Sequence, residues 1–154
     1  MSGPDITELI HVGIVVPDLE AGMAHFTALL GIGWAAPMEN QIEIVAADGT
    51  RTPVLNRICY SAEPPYLELI EEAPGTPWVC NEHSNIHHLG FYGTSARATS
   101  DHFQGVGCPL EIRDGGEGAP TWAYHRDPLG VRVEVIDASI RPMMAEFMWG
   151  DPTR

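Results

Sequence analysis

The sequence contains no lysine: all eight of its basic residues are arginine. Catalysis through a Schiff base and a phosphate loop closed by a lysine are both excluded on that ground. Cysteine is scarce as well. Cys59, Cys80 and Cys108 form neither complete pairs nor a Cys-x-x-Cys pattern, and no Asn-x-Ser/Thr acceptor is present, so a reducing, cytoplasmic setting is expected. No apolar run approaches the roughly 18 residues of a membrane span, and Met1 to Thr7 lacks the basic start and apolar stretch of a signal peptide, so no membrane association is expected. Positive charge is short throughout. Twenty-one acidic residues against eight basic ones give a formal net charge of −13, which would repel nucleic acid and anionic lipid surfaces.

What remains is an ordinary globular composition, 44% apolar and 19% charged over 154 residues, enough for one compact domain or for two half-size modules sharing a core. The chain repeats itself. Sliding it by 77 residues places His11 on His88, Gly13 on Gly90, His25 on His102 and Phe26 on Phe103. At an offset of 66, the segment from Tyr66 to Glu71 lies against Arg132 to Asp137. Each half then reads as a strand, a helix and three strands: residues 8–16, 18–30, 41–47, 54–60 and 66–72 in the first. In the second they are 86–92, 95–106, 109–113, 121–126 and 131–137. Module 1 spans about 6–73, a Pro- and Gly-rich linker 74–85, module 2 about 86–138, and a terminal helix 139–150 carries Met143, Met144, Phe147 and Met148 as its apolar side. Asp18 supplies a helix cap, Gly31 a helix stop, and Asp48-Gly49 and Asp127 to Gly130 supply hairpin turns.

Strand alternation sorts the polar residues. His11, Gly13 and Val15 share one face of their strand, as do His88, Gly90 and Tyr92, while His87 falls with the residues that a helix layer would cover. Glu68 and Glu134 each interrupt an apolar strand, where an unpaired buried carboxylate is costly. If the modules curve one sheet, two His and two Glu meet on its concave side, a donor set suited to Zn(II), Fe(II), Ni(II), Co(II) or Mn(II). Counting back through a four-residue turn pairs His125 with Arg132 and puts it beside Glu134, as a group that could orient substrate or shuttle a proton. Tyr60 and Tyr92 share the inward parity. His25 and His102 belong to helices behind the sheet. Gly115 to Gly118 lacks the residues of a phosphate loop and reads as a mobile loop beside the pocket.

The motifs His11-Val12-Gly13-Ile14-Val15-Val16-Pro17-Asp18, Tyr66 to Glu71, Ile86-His87-His88-Leu89-Gly90-Phe91 and Asp127 to Ile136 together resemble the vicinal oxygen chelate superfamily. That group contains glyoxalase I, methylmalonyl-CoA epimerase, extradiol dioxygenases and bleomycin-resistance proteins. The resemblance covers nearly the whole chain. It implies an α+β fold of two tandem βαβββ modules forming a curved mixed sheet around a metal-binding cleft, with His11, Glu68, His88 and Glu134 as ligands, and a homodimer. The four-ligand pattern is similar to that of the glyoxalases and epimerases, where a divalent metal stabilises an enolate and Glu moves the proton. On this resemblance Glu134 and Glu68 are the candidate catalytic groups, with His125 next. The alternatives are an Fe(II) extradiol-type dioxygenase using His11, His88 and Glu134, and a non-catalytic binding protein. A chain so acidic and free of lysine is a poor host for the phosphates of coenzyme A, which leaves a small neutral or weakly polar metabolite with chelating oxygens as the expected substrate.

Overall fold

A computed structural model describes residues 3–154, so the first two residues of the segment read for a leader lie outside it. The first module runs β1 (Leu9–Val16), α1 (Leu19–Leu30), β2 (Met38–Ala46), β3 (Arg51–Tyr60) and β4 (Tyr66–Glu71). The second runs β5 (Ile86–Gly93), α2 (Ala96–Gly105), β6 (Leu110–Asp114), β7 (Trp122–Arg126) and β8 (Arg132–Asp137), and α3 (Arg141–Trp149) ends the chain. The eight strands close into a barrel in the order β1-β4-β3-β2-β6-β7-β8-β5. Within each module the first strand pairs in parallel with the fourth, β1 with β4 and β5 with β8. The modules join through antiparallel β1–β5 and β2–β6 pairs. The expected curved sheet thus closes on itself, although β2 meets β6 only at Ile44, Val45 and Ala46, so its earlier residues have no strand partner on that side.

Alternation along the strands builds two layers. Ile14, Val16, Cys59 and Leu69 face outward beneath Leu19, Met23 and Phe26 of α1, and Val135 and Ala123 lie beneath Ala96 and Phe103 of α2. Both helices start on the caps their sequences offer. Asp18 accepts from the amide of Ala21 at 2.7 Å, Ser95 from that of Ala98 at 3.2 Å, and each cap is worth about 1 kcal/mol. Inside the barrel, Val15, Ile44, Val54, Ile70, Ile112 and Tyr124 pack around Trp78. Trp78 comes from the segment read as a linker. It is 3% exposed, and its Nε1 donates to the Tyr124 hydroxyl at 3.2 Å, so that connection also fills one end of the barrel.

The terminal helix departs from expectation in its buried side. A 3-10 turn over Ala138–Ile140 leads into it, and its buried residues are Ala145 and Met148, whereas Met143 and Phe147 are 51% and 66% exposed. The packed stripe is the one containing Met144, Ala145 and Met148, and at helical spacing that turns the other two outward. Among the described residues, no helix is long and apolar enough to cross a membrane.

Candidate metal centre

His11 on β1 and His88 on β5 approach each other across the module junction, their Nε2 atoms 2.9 Å apart. Register explains the meeting. Gly13 lies opposite His88, and Gly90 opposite His11. A Cβ at residue 13 would stand 2.1 Å from the His88 ring, and one at residue 90 would stand 2.3 Å from the His11 ring. The two glycines of the repeat therefore supply the space that the two imidazoles occupy.

The carboxylates arrive from the neighbouring parallel strands, with Glu68 beside Gly13 and Glu134 beside Gly90. Oε2 of Glu68 lies 3.5 Å from His11 Nε2 and 3.2 Å from His88 Nε2. Oε2 of Glu134 lies 3.1 Å and 3.2 Å from the same atoms. All four residues are buried, and all four donor atoms lie within 4.8 Å of one another. Neither Oε2 has a hydrogen bond of acceptable geometry. Tetrahedral coordination at bond lengths of about 2.0–2.2 Å places donors about 3.3–3.6 Å apart, close to the separations here. The two orphaned buried carboxylate oxygens, the two imidazoles and their spacing therefore fit a divalent cation.

Electrostatics carries the same message. Burial opposes a charge on His88, but the close approach and negative charge of the Glu134 and Glu68 carboxylates outweigh it and raise the imidazole to about 9. Burial would likewise raise Glu134, but His11 and His88 hold its carboxyl well below the usual range. The cluster is an anionic cage that draws in positive charge, as a proton or as a metal ion.

A chain of hydrogen bonds sets the orientation of His88. His87 Nε2 lies 2.9 Å from the carbonyl of Pro77, which can only accept, so that nitrogen carries a hydrogen. Burial, followed by the charge of Arg132, pushes His87 down to about 3, and the ring is neutral. Its Nδ1 must then accept, and the donor 2.9 Å away is Nδ1–H of His88. The remaining nitrogen of His88, Nε2, faces Glu68 and Glu134. This corrects the expectation that His87 turns toward the helices. Between Gly13↔His88 and Ile14↔Ile86 the register shifts by one, and the bulge at residue 87 breaks the alternation and sets the two rings side by side.

His125 is also placed differently. It pairs with Val133, and Arg126 pairs with Arg132, because the turn takes in Val131 as a fifth residue. That one-residue change reverses the face. His125 is fully buried under α2, its Nε2 2.8 Å from Ser100 Oγ and its Nδ1 3.0 Å from the carbonyl of Cys108. It is a satisfied histidine behind the sheet and does not join the cluster.

Tyr60, read as inward-facing, donates its hydroxyl hydrogen to Oε1 of Glu68. Tyr124 holds the equivalent place opposite Glu134, stacks on His88 at 4.8 Å and bonds to Trp78. Tyr124 was not singled out in the sequence, because the four-residue turn read there puts it on the face away from Glu134, and the fifth turn residue brings it opposite. Tyr92 sits elsewhere, under the guanidinium of Arg141 at 4.1 Å. Gly115 rests against Glu43 of β2, accepting no role at the cluster. Glu68 and Glu134 open onto a cavity of about 200 Å³ inside the barrel.

Comparison with known proteins agrees with this architecture. The family model described as Glyoxalase/Bleomycin resistance protein/Dioxygenase superfamily matches residues 10–125. No curated protein matches by sequence. Among solved structures, a methylmalonyl-CoA epimerase in complex with methylmalonyl-CoA and NH4+ is 18% identical with a TM-score of 0.60, covering 90% of this chain and 98% of that one. The methylmalonyl-CoA epimerase from Mycobacterium tuberculosis is 18% identical with a TM-score of 0.54, covering 89% and 91%. A mutant 4-hydroxymandelate synthase from Streptomyces coelicolor is 17% identical with a TM-score of 0.58, covering 89% of this chain and 39% of that one. At these identities the likeness concerns the fold, and together with the family match it means that the chain belongs to the glyoxalase, bleomycin resistance and dioxygenase superfamily, the vicinal oxygen chelate group.

Proposed function

We propose that this protein is a metal-dependent lyase or isomerase acting on a small metabolite with an enolisable carbonyl. The observation that carries the reading is the convergence of His11, Glu68, His88 and Glu134, two from each module, on one buried point that opens into the barrel cavity. A divalent cation held there would supply the positive charge that stabilises an enolate and lowers the barrier to breaking the adjacent C–H bond.

The chain's own groups divide the remaining work. Tyr60 ties down Oε1 of Glu68, whereas the phenol opposite Glu134 is engaged with Trp78. Glu134 is therefore the freer carboxylate and the better placed to take a proton from substrate carbon and return it, while Glu68 remains fixed. The apolar barrel wall excludes water from the acidified carbon. Presence of Glu68 beside the other three ligands disfavours the extradiol reading, which needs only His11, His88 and Glu134.

Elemental analysis of the protein beside His11→Ala, Glu68→Ala, His88→Ala and Glu134→Ala tests the site. About one transition metal per chain is expected, lost in each variant. Deuterium exchange next to the carbonyl of a panel of small ketones and 2-oxo compounds, followed by NMR, tests the chemistry and should vanish in Glu134→Gln. Metal retained in Glu68→Ala together with oxygen uptake on a catechol would replace this reading with the oxygenase, and failure to hold any metal would sink both.

A further inference from the structure

The barrel cavity has two polar ends, one buried and one at its mouth. The metal centre belongs to β1, β4, β5 and β8, and in the closed strand order the wall facing it is made by β3, β2, β6 and β7. On that wall Asn40, which is exposed, and Asn56, which is half-buried, are directly paired across β2 and β3, and both line the mouth of the same cavity as Glu68 and Glu134. Between the two ends the lining is apolar, with Ile58, Ile70 and Ile136 and the indoles of Trp78 and Trp122, whose ring centroids are 6.3 Å apart.

Charge is distributed just as unevenly. No arginine lines the cavity, and there is no lysine to do so. Arginines 51, 57, 97, 132, 141 and 154 are each paired with a carboxylate. Two Glu carboxylates with one divalent cation sum to neutrality. A carboxylate or phosphate elsewhere on the ligand would pass an apolar wall, find no cationic partner in the lining, and meet a chain whose net charge of −13 repels it. An amide both donates and accepts, so the asparagine pair serves a neutral hydroxyl, carbonyl or amide. At about 200 Å³ the cavity is also smaller than the roughly 300–1,000 Å³ of sites that enclose drug-sized ligands.

We infer that the substrate is a small uncharged molecule with a flat or branched apolar body, gripped by its oxygens at the metal end and by a neutral hydrogen-bonding group at Asn40 and Asn56. This rests on the metal-centre reading above and adds the substrate class and two specificity residues to it. A carrier-linked acyl group with its phosphates inside the barrel does not meet the description.

Hydroxamic acids, which grip a metal through two oxygens, are suitable probes. Isothermal titration of the zinc-loaded protein would compare benzohydroxamic acid with its 4-hydroxy and 4-carboxy derivatives, the zinc content of each sample being measured alongside. The 4-hydroxy compound is expected to bind up to about tenfold more tightly than the parent, the yield of one well-made hydrogen bond. The 4-carboxy compound should bind at least about tenfold more weakly. In the Asn40→Leu/Asn56→Leu double variant the hydroxyl advantage should vanish while parent affinity and zinc content persist. Tighter or equal binding of the carboxylate, an advantage that survives in the double variant, or a zinc-loaded protein that binds none of the three overturns the substrate class while leaving the metal centre intact. A protein that takes up no zinc overturns both.

Discussion

The Nδ1 atoms of His87 and His88 lie 2.9 Å apart, and only one of them can carry the hydrogen between them. Because the Pro77 carbonyl holds the hydrogen on Nε2 of His87, His87 would act on a metal held by the cluster through its neighbour alone. Outer groups that orient a metal-binding imidazole typically matter about 10- to 100-fold in affinity. His87→Leu should weaken zinc binding by that range. His87→Asn, whose side-chain oxygen can replace the Nδ1 acceptor, should recover most of it. Competition against a chelator of known affinity measures both, and long-range 1H–15N spectra of the zinc form should show His88 with its hydrogen on Nδ1. Equal losses in the two variants would reduce His87 to a packing role.

Gly13 and Gly90 are expected to tolerate no side chain at all. Gly13→Ala and Gly90→Ala push a methyl group into the His88 and His11 rings respectively, so each should cost about 1–3 kcal/mol of stability, as overpacking does, and should displace a ligand. Gly105→Ala, at the end of α2 where nothing lies within 4 Å, serves as the control and should be neutral or stabilising by up to about 1 kcal/mol. Urea unfolding in the presence of a chelator reads the stability of all three, and zinc titration reads the ligand geometry. A Gly13→Ala variant as stable and as zinc-competent as the Gly105→Ala control would contradict the close approach.

The meeting of the four residues was legible because the repeat marks them twice and because each keeps the alternation of its own strand. His11, Glu68, His88 and Glu134 all lie on regular pairings or beside them. Where the strands are irregular, alternation gave the wrong face. The bulge at His87 and the fifth turn residue Val131 each shift the count by one, and nothing in local composition announces either. Trp78 is a different case. Its neighbours Pro77, Gly75 and Thr76 read as a surface connection, and only barrel closure creates the interior space that a large ring from that connection fills. The asymmetry between Tyr60 and Tyr124 depends on that same indole, so it was out of reach from the repeat alone.

Removing the Tyr60 hydroxyl should unbalance the carboxylate it serves. In Tyr60→Phe, Oε1 of Glu68 loses its donor inside the barrel, and an unsatisfied buried acceptor costs about 1–3 kcal/mol. Tyr124→Phe removes a hydroxyl bonded to Trp78 and leaves Glu134 untouched. The expected result is a larger loss in Tyr60→Phe, partly recovered by zinc, and a smaller loss in Tyr124→Phe that zinc does not alter. Thermal or urea unfolding with and without zinc distinguishes them. Identical responses would mean that the two halves treat their carboxylates alike.

His125 supplies a pH dependence that is separate from the His/Glu cluster. Burial holds its imidazole below the ordinary histidine value, against the raising effect of the Cys108 and Pro109 carbonyls. The folded protein therefore prefers the neutral ring, with Nδ1–H donating to Cys108 and Nε2 accepting from Ser100. The unfolded chain takes up the proton near pH 6.5, and so binds more protons than the native state as the solution is acidified. The contribution is fully present above about pH 6.5 and is lost as pH falls through the depressed native value, at up to about 1.4 kcal/mol per pH unit for this one site. His125→Asn keeps a donor for the Cys108 carbonyl and cannot titrate. Stability measured in urea between neutral and mildly acidic pH should fall less steeply in that variant than in the native protein, even if the variant is less stable at neutral pH. Parallel pH profiles would show that His125 takes up its proton in the folded state as readily as in the unfolded one, and the seat beneath α2 would then have to admit water.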